Sequence, residues 1–300
     1  MNSKILVIGS SNTDMTVVAD KLPSPGETVI GGHFSMGLGG KGANQAVAVC
    51  RLGQQAGFVC KIGRDIFGDN ALKAYRAEGL DTTGVLRCDT PSGVALITVD
   101  AGAENCIVVA SGANAEMTPE DIDSLRDLIT GAEVLLMQLE IPLPAVKRAA
   151  HIAHEAGVTV VLNPAPAVPL DGSLLADVDI LVPNEHEAAL LSGLPVDDEK
   201  SAGAAAAYLQ SMGVRDVIIT LGARGALVCR GGDAPVAVPA LKVKAVDTTA
   251  AGDTFCGALC VALTEGLSLE QAARFAARAA ALTVQRVGAQ EAIPYRNELI

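Results

Sequence analysis

Residues 133–140 read EVLLMQLE: four apolar positions in a row, then an amide and, after Leu139, an acid. A short apolar run without alternation is the pattern of a strand buried on both faces, as in parallel sheets. The form recurs in KILVIG (4–9), VTVVLNP (158–164), VDILVPN (178–184) and DVIITLG (216–222), and helical stretches separate the later runs. Alternation of this length predicts an α/β fold: a mainly parallel central sheet with helices on both faces and right-handed crossovers. Ligands bind such sheets beyond the carboxyl ends of the strands. Polar or glycine positions fall there: Asn12 and Asp14, Glu140, Asn163, Asn184, Gly222 and Asp247.

Two early segments and a hairpin break the alternation. MTVVAD (15–20) and ETVIGG (27–32) flank the turn KLPSPG, and SGVALITVD (92–100) meets ENCIVVAS (104–111) across Ala101-Gly102-Ala103. They predict a small β-sheet lid from segments 14–20, 28–36 and 93–110, within a single domain 1–300. AGFVCKIG (56–63) reads as a strand and GDNALKAYRAEG (68–79) as a helix; another helix runs through NQAVAVCRLG (44–53) to Gly53. Thr118-Pro119-Glu120-Asp121 starts a helix, and Ser268 with Gln271 forms a capping box. LKVKAV (241–246) reads as the last strand, leading to TTAAGDTF (248–255).

Half of the 300 residues are hydrophobic but only 3% are aromatic, with no tryptophan, so the core must come from Ala, Val, Leu and Ile. A net charge of −12 argues against a nucleic-acid partner. No apolar run reaches the ~18 residues of a spanning helix, and MNSKILVIGS lacks the parts of a secretory signal. The expectation is a cytoplasmic protein without a membrane partner. Seven cysteines form no C-x-x-C pair and read as reduced thiols. His151 and His154 read as a solvated face.

GLGGKGANQA (37–46) looks like a phosphate loop, yet G-x-x-x-x-G-K-[ST] would need Gly at Ser35 and a hydroxyl at Gly42. The loop needs another ligand. In AVDTTAAGDTFCGAL (245–259), small residues lead into a helix near Gly252, whose first N–H groups would form an anion site. Asp253 adds a carboxylate there. It reads either as an acid stabilising its helix, worth ~0.3–1 kcal/mol, or as a base that takes a proton beside an anion hole. Asn12 and Asp14 alone read as a turn.

GSSNTD, LGGKGANQA, MQLE, NPAP, PNEHE, TLGARG and DTTAAGDTF, in this order and spacing, resemble the ribokinase family of carbohydrate kinases from residue 4 to about residue 295. The resemblance implies a ribokinase-like three-layer sandwich with a lid, and ATP-dependent phosphorylation of the D-ribose 5-hydroxyl. It gives the glycine loop to the sugar, with Asn12, Asp14, Gly39, Gly40, Lys41, Asn44 and Glu140 as its contacts. It makes Asp253 the general base and Thr248 to Gly252, with Ala250 and Ala251, the anion hole. Asn184 and Glu187 would position phosphates and Mg²⁺ through water, and His186 is a bystander. Thr220, Gly222, Arg224 and Gly225 would form the nucleotide loop, joined by Gly252.

The resemblance also implies an activating K⁺, held by Asp247, Thr249, Thr283, Arg286, Gly288 and Ala292, mostly through carbonyls, and a homodimer formed through the lid. Ala277 departs from the family, whose members often carry Asn or His near the adenine. Deoxyribose, another sugar or a nucleoside remains an alternative substrate. A nicotinamide-dependent oxidoreductase is disfavoured because no G-x-G-x-x-G follows the first strand.

Overall fold

Ile5 and Val7 pack into one hydrophobic core while Leu6 and Ile8 pack into another, so the first strand separates two cores. A computed structural model describes residues 3–102 and 104–299. In chain order the strands are β1 (Ile5–Ile8), β2 (Asn12–Val18), β3 (His33–Gly39), β4 (Ala56–Gly63), β5 (Val85–Cys88), β6 (Gly93–Val99) and β7 (Asn105–Ala110). Then follow β8 (Val134–Met137), β9 (Thr159–Leu162), β10 (Ile180–Leu181), β11 (Asp216–Thr220), β12 (Ala226–Cys229) and β13 (Val236–Val238). The first helices are α1 (Lys41–Arg51), α2 (Ile66–Ala77), α3 (Pro119–Ser124), α4 (Arg126–Thr130) and α5 (Leu143–Glu155). The later ones are α6 (Gly172–Leu175), α7 (Glu185–Ser192), α8 (Glu199–Ser211), α9 (Ala251–Thr264) and α10 (Leu269–Thr283).

The central sheet runs β13-β12-β11-β10-β9-β8-β1-β4-β5. It is parallel from β11 to β5, while β12 pairs antiparallel with both β11 and β13. α1, α2, α9 and α10 cover one face, and α5 and α8 help to cover the other. The chain leaves β1 toward β4 on one side and returns to β8 on the other, so the switch point lies where these two strands end. Residues 10–12 and 138–140 emerge there. No helix among the described residues is long and apolar enough to cross a membrane.

Small residues let the helices close on the sheet. A Cβ at Gly257 would stand 2.7 Å from Ala48 Cβ and 2.9 Å from Gln45 O, so α9 lies directly on α1. Among the few aromatics, Phe58 and Tyr75 meet edge to face at 5.2 Å, and the Tyr75 hydroxyl pairs with Ser11 Oγ at 2.6 Å.

The lid is a four-stranded sheet, β3-β2-β6-β7. Its register places Asp14, Gly37, Ala95 and Val109 in one row across the sheet, and Met15, Met36, Leu96 and Val108 in the next, on the opposite face. The hairpin between β6 and β7 forms as the sequence predicts; Ala103 of its turn lies outside the described residues.

Several boundaries differ from expectation. The second lid strand is His33–Gly39, and residues 28–32 are not strand. Gly26 and Gly31 adopt φ of 82° and 108°, which breaks the extended run. LKVKAV is not a strand either: Leu241, Val243 and Val246 are exposed, and the antiparallel pair β12 and β13 takes the sheet edge instead. Asn12 and Asp14 stand in β2 rather than in a turn, and α1 begins at Lys41, inside the glycine loop.

Gly257→Ala gains up to about 1 kcal/mol of helix propensity, but its new methyl has no room. The clash should win, lowering the unfolding free energy by about 1–3 kcal/mol in urea titration; equal or greater stability would show that α1 and α9 are not in tight contact.

Candidate active site

Asp253 sits in the first turn of α9 and is only 6% exposed. The preceding Ala250 adopts the left-handed region, φ 58° and ψ 7°, the one positive-φ non-glycine residue among those described. Such strain costs about 1–3 kcal/mol and collects at functional sites. It turns the chain so that the helix presents its first N–H groups outward. Among the described residues those of Gly252 and Asp253 meet no acceptor, and that of Ala251 reaches Thr248 O at 3.3 Å.

The Asp253 carboxylate is held from α1. Asn44 Nδ2 donates to Oδ2 at 2.9 Å, and Gln45 Nε2 donates to Oδ1 at 3.0 Å. Gln45 Nε2 also reaches Asn163 Oδ1 at 3.1 Å, and Gln45 Oε1 accepts Gln138 Nε2 at 2.5 Å. Asn163 Nδ2 in turn donates to Val182 O at 2.9 Å.

Glu140, beyond β8, accepts Ser10 Oγ at 2.5 Å and the Lys41 backbone N–H at 3.0 Å. Asn12 Oδ1 accepts Asn114 Nδ2 at 2.7 Å. Asp14 crowds Gly39, where a Cβ would fall 2.1 Å from the carboxylate, and Gly40 takes φ 88° between the lid and α1. Burial, then the charges of Glu140, Glu291 and Asp253, push the Asp14 carboxyl up to about 6. Burial pulls the Lys41 ammonium down, but Asp253, Glu140 and Glu187 outweigh it and hold the pKa above its ordinary value. The sequence-predicted sugar residues thus form one cluster, rich in acceptors around a single lysine.

Asn184 caps α7: its side chain accepts the Glu187 N–H at 2.8 Å, and Glu187 Oε2 accepts the Asn184 N–H at 2.8 Å. N-x-x-E here is a capping box, which leaves Asn184 Nδ2 and Glu187 Oε1 for other partners. Burial raises the Glu187 pKa in spite of that N–H and of Lys41. A one-oxygen carboxylate beside Lys41 and Asp253 fits water-mediated Mg²⁺, which takes one or two carboxylates and completes its shell with water and phosphate oxygens. Asn184 bridges to Thr220 at the end of β11, and Gly222 and Gly225 there adopt φ of 54° and 98°. Arg224 is engaged by Glu185 and by Asp197 O.

Asp247 Oδ1 accepts Thr249 N and Oγ1 at 2.9 and 2.7 Å, and Oδ2 accepts Gly288 N at 2.9 Å, joining two parts of the suggested cation ring. These bonds hold its pKa down against the effect of burial. Among the described residues the carbonyl oxygens of Thr249, Arg286 and Gly288 accept no hydrogen bond, which suits an oxygen-liganded monovalent cation; Thr283 O instead accepts Arg286 N at 3.0 Å. The Arg286 guanidinium pairs with Glu298, and Ala292 ends a 3₁₀ turn at Gln290–Ala292.

Sequence reading missed Gln45, Gln138, Asn114 and Glu291. Gln45 carried a signal: one long polar side chain at the head of the apolar run AVAVC, where a buried amide must be paired. Glu291 carried none, because its place beside Gly37 depends on how a C-terminal turn meets the lid. A separate cavity of about 380 Å³, lined by Glu133, Thr159, Arg215 and Arg230, opens at the amino ends of the strands, away from these groups.

A family model described as pfkB family carbohydrate kinase matches residues 2–296. The chain is 44% identical to a ribokinase of Haemophilus influenzae, over 100% of this chain and 98% of that protein. It is 39% identical to a deoxyribokinase of Salmonella typhi, over 97% of this chain and 95% of that one. The structure of an Arabidopsis thaliana ribokinase complexed with ribose and ATP superposes with a TM-score of 0.92 at 34% identity, covering 100% of this chain and 98% of that one.

The elevated Asp14 carboxyl has a stability consequence. The folded state keeps its proton up to about pH 6, whereas the unfolded chain releases it near 3.8. The folded state therefore binds more protons in that window, and stability falls as pH rises through it. Without sugar, Asp14→Asn should be more stable than the parent by about 3 kcal/mol at pH 7.5, with the gain fading below pH 4. Urea titrations at the two pH values check this; equal stability at pH 7.5 would contradict it.

Proposed function

The chain belongs to the pfkB family of carbohydrate kinases, and on that footing we propose that it transfers the terminal phosphoryl group of ATP to the 5-hydroxyl of D-ribose. The observation that carries this reading is the buried Asp253 carboxylate, gripped by two amides at a helix start where, among the described residues, the N–H groups of Gly252 and Asp253 meet no acceptor, beside Asp14, Glu140 and Lys41.

The sugar lies under the lid, its hydroxyls donating to Asp14, Glu140 and the Asn12–Asn44 amides, with Gly39 and Gly40 admitting the ring close to the backbone. Asp253 takes the proton from the 5-hydroxyl as that oxygen bonds to the terminal phosphorus. The bond to the bridging oxygen breaks, ADP leaves with its electron pair, and ribose 5-phosphate carries the new ester. The N–H groups of Gly252 and Asp253, with the Thr248–Gly252 turn, stabilise charge on the phosphoryl oxygens. Thr220, Gly222, Arg224 and Gly225 line the nucleotide side with Asn184. Glu187 would hold Mg²⁺ through water, and that ion neutralises phosphate charge when bound. Asp247 and the carbonyls of Thr249, Arg286, Gly288 and Ala292 would hold K⁺ against the anion hole.

Deoxyribose is the second reading, favoured by the 39% identical deoxyribokinase. The acceptor-rich site argues for ribose, because a missing hydroxyl leaves a buried acceptor unpaired. The apolar row Met15, Met36, Leu96 and Val108 supports pairing of two lids in a homodimer; its last three residues are 52%, 54% and 65% exposed. Seven unpaired thiols and the use of ATP fit a cytoplasmic enzyme.

A coupled ADP-release assay across ribose, deoxyribose and hexoses should give the highest kcat/KM with ribose, and K⁺ in place of Na⁺ should raise the rate. A preference for deoxyribose would move the assignment to the second reading. Asp253→Asn should lower kcat by about 10²–10⁴-fold while ribose still binds calorimetrically; a near-parental kcat would remove Asp253 from the role of base.

A further inference from the structure

Resting on the kinase reading above, we propose that Gln45 is a positioning residue that fixes the plane of the Asp253 carboxylate, and that Gln138 and Asn163 together set which way round the Gln45 amide stands. Gln45 and Gln138 are both 0% exposed, so neither reaches the sugar or the nucleotide. Asp253 as a base is acceptor-only, so Gln45 must turn its NH₂ toward Oδ1. An amide turns over with little change in shape. Turned over here, it would set oxygen against oxygen at about the present 3.0 Å.

Two neighbours prevent this. Gln138 Nε2 donates to Gln45 Oε1, and Asn163 Oδ1 accepts the second proton of Gln45 Nε2. Asn163 cannot turn over in its place, since its own Nδ2 donates to Val182 O. One backbone carbonyl beyond β10 therefore orients Asn163, and Asn163 with Gln138 orients Gln45, the amide that holds the base.

The arrangement has a local cost that a glutamine serving only packing would not require. Gln138 Oε1 is buried without a donor among the described residues, and Gly9 must lack a side chain because a Cβ would fall 2.0 Å from that oxygen. With Asn44 on Oδ2 and Gln45 on Oδ1, each carboxylate oxygen spends one acceptor site on α1. Each oxygen keeps an acceptor site for an arriving hydroxyl.

Gln45→Met keeps length and removes the donor. It should lower kcat for ribose by about 10–100-fold, with both KM values within about threefold of the parent. Gln138→Met leaves every Asp253 contact in place and should lower kcat in the same direction by about 3–10-fold. The double variant should be no slower than Gln45→Met, since the two act in series. A parental kcat in folded Gln45→Met, or losses that multiply in the double variant, overturns the proposal. If Gln45→Met fails to fold, Gln138→Met decides: parental kcat there overturns it, and reduced kcat at unchanged KM supports it. Parent protein that releases no ADP with any sugar overturns the kinase reading itself, a result seen in the parent arm alone.

Discussion

A carboxylate in a protein interior needs donors, and Asp253 takes both of its side-chain donors from a different helix. The crossing of α1 and α9 is thus the constraint on which the site depends. Gly257 lies one turn beyond Asp253 and admits the backbone of α1, while Ala48 lies one turn beyond Asn44. Where the two helices touch most closely, the amides and the carboxylate face each other. A core built from alanine and valine permits that approach; large aromatic side chains at the crossing would hold the helices apart.

The same compactness crowds charges. Glu140 and Asp253 both act on Asp14 and on one half-buried lysine, and among the described residues no arginine shares the cluster. Such a site has surplus acceptors. A neutral polyol supplies hydroxyl donors without adding negative charge, whereas a sugar that already carries a phosphate would add it. Free N–H groups gather instead at the start of α9, the place proposed for the terminal phosphate of ATP.

Much of the fold was legible because buried parallel strands announce themselves as apolar runs. β1, β4, β8, β9 and β11 lie where KILVIG, AGFVCKIG, EVLLMQLE, VTVVLNP and DVIITLG place them. The edge strands of the central sheet were not legible. β5 and β13 pair on one side only and are short, while LKVKAV carries a strand pattern with no neighbour to pair with. For the site, the motifs marked the groups that face solvent or ligand. The supporting amides stayed hidden, because the Gln45–Gln138 and Asn12–Asn114 bonds join residues 93 and 102 positions apart.

The hydroxyl contact between Tyr75 and Ser11 has an optical corollary. With no tryptophan, the chain owes its near-ultraviolet emission mainly to three tyrosines. Tyr208 and Tyr295 are 44% and 51% exposed, whereas Tyr75 is fully enclosed and bonded to the residue next to Asn12. Its fluorescence lifetime is therefore an intrinsic, label-free gauge of strain where the lid joins the body of the protein.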